Sequence, residues 1–206
     1  MCGIAGVIHK GKSVNIGSEL QSMLQALKHR GPDSTGYALY ADNDGQNFIM
    51  RFKVGENVAE GSSSANEDES VYDSRKKLVD KNLSDLGATI VKEERLTPYS
   101  YRYEIKYDKD LMEFSKKIES VEMVEILSIG KSLELIKDLG DATVVSERYG
   151  LDKVKGTHGI GHARMATESG VDIKSAHPFW GYPFSDVSVV HNGQLTNYWN
   201  NRRALE

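Results

Sequence analysis

The chain of 206 residues carries 26 basic and 30 acidic residues and one cysteine. Its net charge of −4 gives no reason to expect nucleic-acid binding, and a single cysteine excludes an intrachain disulfide and favours a reducing compartment. No apolar run approaches the roughly 20 residues that span a bilayer, and the start is too short and glycine-rich for a signal peptide. We therefore expect a cytoplasmic protein with neither a nucleic-acid nor a membrane partner.

The first 41 residues predict a strand, a helix and a second strand. CGIAGVI is a short apolar run with small residues, which is typical of a buried strand. Residues 18–30 place leucines and a methionine at helical spacing behind Ser18, which we expect to cap the helix. GPDSTG then contains turn-forming residues, and YALYA predicts the second strand.

The middle of the chain differs in composition and predicts an insertion at about residues 52–155. It opens with the acidic, serine-rich loop GENVAEGSSSANEDES. YSYRYEIKYD predicts a strand with one face in water, and DLMEFSKKIES predicts an amphipathic helix. MVEILSIG predicts a strand that is followed by the helix KSLELIKDL. From Gly156 the chain returns to small apolar strands, so the order indicates layered α/β or α+β packing rather than a doubly wound parallel sheet.

Two short patterns imitate ligand-binding motifs without their required residues. The run IGKS ends like a phosphate-binding loop, but Glu125 stands where that motif needs a glycine. His158 and His162 are four residues apart, as in a helical zinc pair, but the glycines beside them disfavour a helix. We expect neither a metal nor a cofactor.

The cysteine is the second residue, and that position changes its expected chemistry. A solitary cysteine is usually a small buried hydrophobe. Initiator methionine is normally removed when the next residue is small, which leaves Cys2 with a thiol and a free α-amine on one Cα. The amine titrates near about 8 and can take the thiol proton, as in N-terminal threonine hydrolases. Cys2 is therefore a candidate nucleophile.

The HNG run at 191–193 offers the hydrogen-bond donors that this chemistry needs. A thiolate that attacks an amide carbonyl creates an oxyanion, which requires fixed donors. The side-chain amide of Asn192 beside the backbone N–H of Gly193 is such a pair. Taken alone, the Asn-Gly dipeptide is more often a hairpin turn, so both interpretations stay open.

MCGIAG, HRGPDSTG, GHARMATES and HNG, in that order, resemble the class II glutamine amidotransferase domain. The resemblance covers residues 1–41 and about 156–203. It implies an α+β fold, the four-layer αββα sandwich of the N-terminal nucleophile hydrolases. It implies one such domain that includes residues 1–206. The domain is expected to extend beyond them, because the family's amine-binding acid lies a few tens of residues beyond HNG. SAHPFWGY and HNGQLTNYWNNRR are most similar to the amidotransferase domains of glutamate synthase and N-methylglutamate synthase.

The resemblance assigns glutamine hydrolysis to four residues. Cys2 corresponds to the nucleophile that forms a γ-glutamyl thioester and releases ammonia. Arg164 corresponds to the arginine that grips the glutamine α-carboxylate, a task that suits a guanidinium fork. Asn192 and Gly193 correspond to the oxyanion hole.

Further positions correspond to residues around the substrate. Arg30 and Gly31 match the loop beside the N-terminus, where Arg30 is expected to hold Cys2 and its amine. Thr167 lies where family members contact the substrate. We expect Asp33 to fix the turn and His162 to fix the strand, rather than to touch the substrate.

The resemblance implies glutamine as substrate and a synthase domain or subunit that accepts the ammonia, in a hetero- or homo-oligomer. Met165 and Glu168 replace the tryptophan and histidine of some sugar-phosphate amidotransferases, which favours the synthase branch. Two alternatives stay open. One is an N-terminal cysteine amidase that acts on other amides, and the other is a catalytically silent regulatory or assembly subunit with the same fold.

Overall fold

The computed structural model of the protein describes residues 2–56, 67–165, 172–193 and 196–205. The strands in these ranges are β1 (Gly3–Ile8), β2 (Ser34–Ala41), β3 (Phe48–Lys53), β4 (Thr89–Thr97), β5 (Ser100–Lys106), β6 (Glu125–Gly130), β7 (Leu133–Leu139), β8 (Gly156–Arg164), β9 (Phe179–Trp180) and β10 (Ser188–Val189). The α-helices are α1 (Ile16–Ala26), α2 (Glu69–Leu86), α3 (Leu111–Ile118), α4 (Ala142–Tyr149) and α5 (Tyr198–Leu205). None of the described helices is long and apolar enough to cross a membrane.

Two four-stranded sheets form the body of the protein. Sheet A has the strand order β1-β8-β2-β7, and sheet B has the order β4-β5-β3-β6. Every neighbouring pair in both sheets is antiparallel. Strands β9 and β10 form a separate small antiparallel pair. Antiparallel sheets with helices on their faces make an α+β arrangement, as predicted. Residues 52–155 supply most of sheet B, the β7 edge of sheet A, and helix α4.

Three apolar clusters hold these elements together. The first packs α1 and α4 on one face of sheet A, through side chains such as Leu20, Leu24, Tyr37, Ile136 and Val145. The second packs α2 and α3 on one face of sheet B, through Phe52, Val79, Leu83, Tyr103 and Phe114. A smaller third cluster joins the opposite face of sheet A to β6 of sheet B, through Ala38, Leu127 and Leu135. Burial of this apolar surface is the main favourable contribution to folding.

A buried ion network also joins the two sheets. Glu134 on β7 accepts hydrogen bonds from Arg51 Nε at 2.8 Å and from Arg102 Nη2 at 2.9 Å. Burial alone would raise the pKa of Glu134, but the two guanidinium groups lower it to about 2. The prediction that β5 keeps one face in water is confirmed only in part, because that face changes from the largely buried Arg102 to the exposed Lys106. The alternating polar residue Arg102 faces β7 and is largely buried because its charge is matched there.

The predicted helix KSLELIKDL is wrong, because this segment forms β7. The carboxylate of Asp186 accepts the backbone N–H groups of Lys131, Ser132 and Leu133 at 2.7–3.0 Å and so fixes the turn after β6. All seven residues of β7 are buried. A strand that is buried on both faces loses the alternation that marks a strand, and its apolar spacing then imitates a helix.

The first helix begins three residues earlier than predicted. Its N-cap is Asn15, whose side-chain oxygen accepts the backbone N–H of Ser18 at 3.2 Å, so the expected cap by Ser18 is wrong. Asparagine is as good a cap as serine, and the earlier start buries Ile16. The helix ends at Ala26 and a 3-10 turn follows over Lys28–Arg30. Most of the acidic, serine-rich stretch lies outside the described residues.

Candidate active site

Cys2 and Arg164, which belong to motifs far apart in the sequence, lie at the same end of sheet A. Strand β1 starts directly after Cys2, and β8 ends at Arg164. These strands are antiparallel with Gly3 opposite Ala163, so the same register continued by one residue sets Cys2 beside Arg164. The half-buried thiol of Cys2 lies 3.9 Å from the carbonyl oxygen of Met165. The thiol and the arginine therefore share one end of the sheet.

The backbone of Cys2 is held by two side chains from distant parts of the chain. Its carbonyl oxygen accepts a hydrogen bond from Arg30 Nε at 3.3 Å and another from Asn192 Nδ2 at 3.0 Å. Two donors on one carbonyl leave this residue little freedom to move. Both donors belong to motifs that the sequence placed in the site, the HRGPD loop and HNG.

The loop after Arg30 packs directly on the backbone at the end of β8. A Cβ atom on Gly31 would overlap the backbone of Ala163 and Arg164, so only glycine fits there. The backbone N–H of Asp33 donates to the carbonyl of Arg164 at 3.1 Å. Asp33 thus ties this turn to the strand end through its backbone, as expected for a residue that fixes the turn.

The guanidinium of Arg164 is buried at the same end of the sheet. Its Nη1 donates to the backbone carbonyl of Asp172 at 3.4 Å, and its backbone is paired with Ser34 of β2. A buried guanidinium keeps its charge and presents a planar fork of donors. This geometry suits recognition of a carboxylate, which is the role predicted for Arg164.

The HNG run follows β10 as an exposed loop. Gly193 has φ of +147°, a conformation that favours glycine. The next described element is helix α5, and within the described residues no strand after Gly193 pairs with β10. The hairpin interpretation of Asn192 and Gly193 therefore finds no support in this part of the chain, and the amide of Asn192 reaches Cys2 instead.

Three histidines form a cluster that the sequence analysis did not place in the site. The rings of His162 and His177 meet edge to face with centroids 4.8 Å apart, and the ring of His191 lies 6.4 Å from that of His177. Burial, followed by the neighbouring histidines and cationic groups, lowers the pKa of both His162 and His177 to about 4. The signal that could have found them is the histidine before proline in SAHPFW and the histidine of HNG. Among the described residues, no group of histidine, cysteine and acidic side chains is arranged to hold a metal ion.

The structure thus brings most of the predicted site residues to one place. Cys2, Arg30, Gly31, Arg164 and Asn192 meet at the end of sheet A through the contacts given above. Gly193 directly follows Asn192, and the predicted substrate residue Thr167 lies outside the described residues. Their chemical roles stay predictions.

Two relatives match the chain over its whole length. It is 38% identical over 214 aligned residues to a glutamine amidotransferase of Methanothermobacter thermautotrophicus, covering 100% of this chain and 65% of that protein. It is 31% identical over 212 residues to the glutamine amidotransferase-like protein GlxB of Rhizobium meliloti, of which it covers 62%. The chain therefore spans less than two thirds of the length of either relative. No family model matches it.

Shorter matches involve larger proteins that are named for the transfer of an amido or amino group. The chain is 38% identical over 81 residues to amidophosphoribosyltransferase 2 of Arabidopsis thaliana, which is 39% of this chain and 14% of that protein. It is 32% identical over 96 residues to the glutamine–fructose-6-phosphate aminotransferase of Methanococcus maripaludis. The chain is therefore a homologue, over its whole length, of proteins that are named for glutamine amidotransferase activity.

Proposed function

We propose that this chain is a class II glutaminase domain, which hydrolyses the side-chain amide of glutamine to glutamate and ammonia through a thioester on Cys2. The observation that carries the proposal is that Cys2, Arg164 and Asn192 lie together at one end of sheet A. Arg30 and Asn192 both donate a hydrogen bond to the carbonyl oxygen of Cys2. Groups from positions 2 to 192 of the chain converge there. The names of the two relatives that match this chain over its whole length agree with this chemistry.

The proposed nucleophile is the thiol of Cys2, and the proposed base is its own α-amine after removal of Met1. The amine takes the thiol proton, and the sulfur forms a bond to the amide carbon of glutamine. The tetrahedral intermediate collapses with loss of ammonia, whose nitrogen receives the proton that the amine carried. Water then attacks the thioester, the carbon–sulfur bond breaks, and glutamate leaves.

The proposed oxyanion donors are the amide of Asn192 and the backbone N–H of Gly193. The amide nitrogen of Asn192 lies 3.0 Å from the carbonyl oxygen of Cys2. It therefore contacts the residue that carries the proposed nucleophilic sulfur. Donors that are fixed before the reaction stabilise the developing charge without a reorganisation cost. Arg164 is proposed to bind the α-carboxylate of glutamine, and Thr167 to contact the substrate.

The proposed fold type is the αββα sandwich of the N-terminal nucleophile hydrolases. It is supported by two antiparallel sheets in contact, with α1 and α4 packed on sheet A and α2 and α3 on sheet B. The proposed acceptor of the ammonia is a synthase domain or subunit of the glutamate synthase kind. Ammonia is mostly protonated at neutral pH, which favours direct transfer to an adjoining site over release into solvent.

The test is labelling and loss of activity at Cys2 in the longest available form of the protein. A diazo-ketone analogue of glutamine should add its mass to the N-terminal peptide alone, and Cys2→Ala should lose glutaminase activity while keeping its circular dichroism spectrum. Ser22→Ala, an exposed change on α1, is the matched control. Full activity in Cys2→Ala, or labelling elsewhere, would contradict the proposal.

The same preparation separates the two alternatives. An N-terminal cysteine amidase of another kind should hydrolyse acyl amides faster than glutamine. A silent subunit should show an intact initiator methionine in its mass spectrum, because a blocked Cys2 lacks its base.

A further inference from the structure

The segment of residues 172–179 lies against the end of sheet A that carries the candidate site. The backbone carbonyl of Asp172 accepts a hydrogen bond from Arg164 Nη1 at 3.4 Å. Further along, a Cβ atom on Gly36 of β2 would overlap the carbonyl oxygen of His177, so the backbone of the segment rests directly on the sheet. The segment is therefore a direct neighbour of the arginine that is proposed to bind the substrate carboxylate.

Lys137 on β7 contacts this segment at two places. Its side chain is only 2% exposed, and its Nζ donates a hydrogen bond to the backbone carbonyl of Lys174 at 3.3 Å. The same Nζ lies 4.7 Å from the centroid of the Phe179 ring. In the sheet, Lys137 is paired with Gly36, the residue on which the carbonyl of His177 rests. Lys137 therefore contacts the segment on both sides of His177, from within sheet A.

A carboxylate from β6 fixes the amino group of Lys137. Glu125 lies 3.2 Å from Lys137 Nζ through one oxygen and 3.0 Å from Lys53 Nζ through the other. Burial lowers the pKa of Lys137 below its ordinary value, and the nearby carboxylate of Glu125 opposes this shift. A buried amino group needs hydrogen-bond acceptors, and the carbonyl of Lys174 is one of those that Lys137 has. Loss of the amino group would therefore leave that carbonyl without this donor.

The first half of the segment is a turn that is closed by its own hydrogen bonds. The carboxylate of Asp172 accepts the backbone N–H of Ser175 at 2.6 Å and its hydroxyl at 3.2 Å. The N–H of Ala176 donates to the carbonyl of Ile173 at 3.0 Å, and the side chain of Ile173 is buried in the core of sheet B. This turn therefore links the carbonyl of Asp172 to that of Lys174, two residues later.

We propose that Lys137 is a positioning residue that holds the turn of residues 172–176 and thereby orients the guanidinium of Arg164 for the α-carboxylate of glutamine. This inference rests on the proposed function, because it acts through the proposed carboxylate contact. A guanidinium binds a carboxylate through a planar fork, so its orientation decides how well the two groups match. The contacts of Cys2 with Asn192 do not involve this turn. Loss of Lys137 should therefore affect substrate binding more than the chemical step.

The first experiment compares Lys137→Met with Lys53→Met in the longest available form of the protein. Both lysines are nearly fully buried and pair with Glu125, but the other carboxylate partner of Lys53 is Glu56. Both variants should therefore lose stability in thermal unfolding. Only Lys137→Met should raise the KM for glutamine, about 3- to 30-fold, with kcat within about twofold. A Lys137→Met variant that is less stable but has an unchanged KM would overturn the proposal.

Isothermal titration calorimetry with glutamate separates binding from chemistry, because glutamate carries the same α-carboxylate as glutamine. In a Cys2→Ala background, Lys137→Met should raise the Kd for glutamate about 3- to 30-fold, whereas Lys53→Met should not. In an Arg164→Lys background, Lys137→Met should raise the Kd by less than about twofold, because the lysine acts through the arginine. Effects that multiply in full would contradict the positioning role.

The proposed function and the positioning role fail in different ways. If Cys2→Ala retains glutaminase activity, the proposed function is wrong. If Cys2→Ala is inactive and Lys137→Met changes neither the KM for glutamine nor the Kd for glutamate, only the positioning role is wrong.

A pair of aspartate variants covers the case in which Lys137→Met does not fold. Asp172→Ala removes the two hydrogen bonds to Ser175 that close the turn. Asp44→Ala removes a similar bond, which Asp44 accepts from the backbone N–H of Gln46 at 2.9 Å between β2 and β3. The positioning role requires that the KM for glutamine rise about threefold or more in Asp172→Ala alone. Equal KM values in the two variants would contradict it.

Discussion

The described residues contain two largely buried polar clusters, which differ in the charges that meet in them. Between the sheets, Glu134 lies 2.8–2.9 Å from Arg51 and Arg102, so opposite charges face each other, although Nη1 of Arg51 has no hydrogen-bond partner among the described residues. At the end of sheet A, the rings of His162 and His177 meet edge to face, and the cationic side chains of Arg164 and Lys137 lie near them. A buried charge is tolerated where an opposite charge pairs with it, whereas burial beside like charges disfavours the charged form of a group. The first cluster therefore keeps its charges and joins the two sheets, and the second keeps two histidines neutral beside the candidate site.

Removal of the central acid should produce the largest loss of stability. Glu134→Gln keeps the shape of the side chain but leaves Arg51 and Arg102 buried without their counter-charge, and about 3–5 kcal/mol of unfolding free energy should be lost. Urea unfolding followed by circular dichroism measures it. Glu94→Gln, at the half-buried rim of the same network, should cost about 0–1 kcal/mol. Equal losses of unfolding free energy in the two variants would show that the pairing of Glu134 with the two arginines does not stabilise the protein more than the pairing at the rim does.

Asn192→Asp should produce a large loss of activity with little loss of stability. The change replaces a donor by a negative charge that faces the developing oxyanion, so kcat should fall roughly 100- to 1,000-fold while KM changes much less. Steady-state glutaminase assays measure both constants. Asn197→Asp introduces the same charge just before α5 and serves as the control. A folded Asn192→Asp variant with more than about a third of the original kcat is incompatible with a principal oxyanion donor.

Arg164→Lys should mainly raise the KM for glutamine. Lysine keeps the charge but loses the planar fork, and a hydrogen bond to a charged group is worth about 1.5–3 kcal/mol, or roughly 10- to 150-fold in KM. Arg95→Lys on β4, where the side chain is partly exposed, is a matched change outside the site. An unaltered KM would assign Arg164 to the structure of the strand end.

The histidine cluster should make stability depend on pH in mildly acidic solution, an effect that vanishes near neutrality. His162 and His177 have a pKa of about 4 when folded and 6.5 as the reference value, because burial first, and then Arg164, Lys137 and His191, disfavour the charged form. Between these values the unfolded chain binds more protons, so stability rises as the pH rises from about 4 to 6.5. The slope is at most about 1.4 kcal/mol per pH unit for each ring.

Thermal unfolding at several pH values between about 4.5 and 7 measures this slope. His177→Gln removes one of the two titrating rings and should flatten the curve. A slope that is the same in the variant would mean that other groups cause the acid sensitivity.

The parts of the fold that could be predicted from the sequence are those whose pattern is local. The small apolar run of β1, the alternation of β5 and the helix α3 are evident from neighbouring residues, and each lies where it was expected. The strand β7 was missed because its seven residues are buried on both faces, and pairing with β2 decides its conformation. The partial burial of Arg102 on β5 was not predicted because its partner, Glu134, is about thirty residues away in sequence.

The candidate site could be predicted only where residues carry a motif. Cys2, Arg164 and Asn192 were found from ordered motifs at the two ends of the chain, and the structure brings them together. His177 was quoted within a motif but given no role, because its significance depends on contacts with His162 and Gly36 that are made by folding alone. Sequence patterns indicate which groups can react. They do not indicate which groups hold them.

The pairing of β1 also determines when the site can exist during synthesis. Strand β1 is an edge strand whose neighbour in sheet A is β8, about 160 residues later in the chain. At roughly 5–20 residues per second, a ribosome needs roughly 10–30 s to make the intervening segment. Throughout that interval Arg164 and Asn192 have not been synthesised, so Cys2 has neither of these neighbours. Strand β1 is thus synthesised well before the strand with which it pairs.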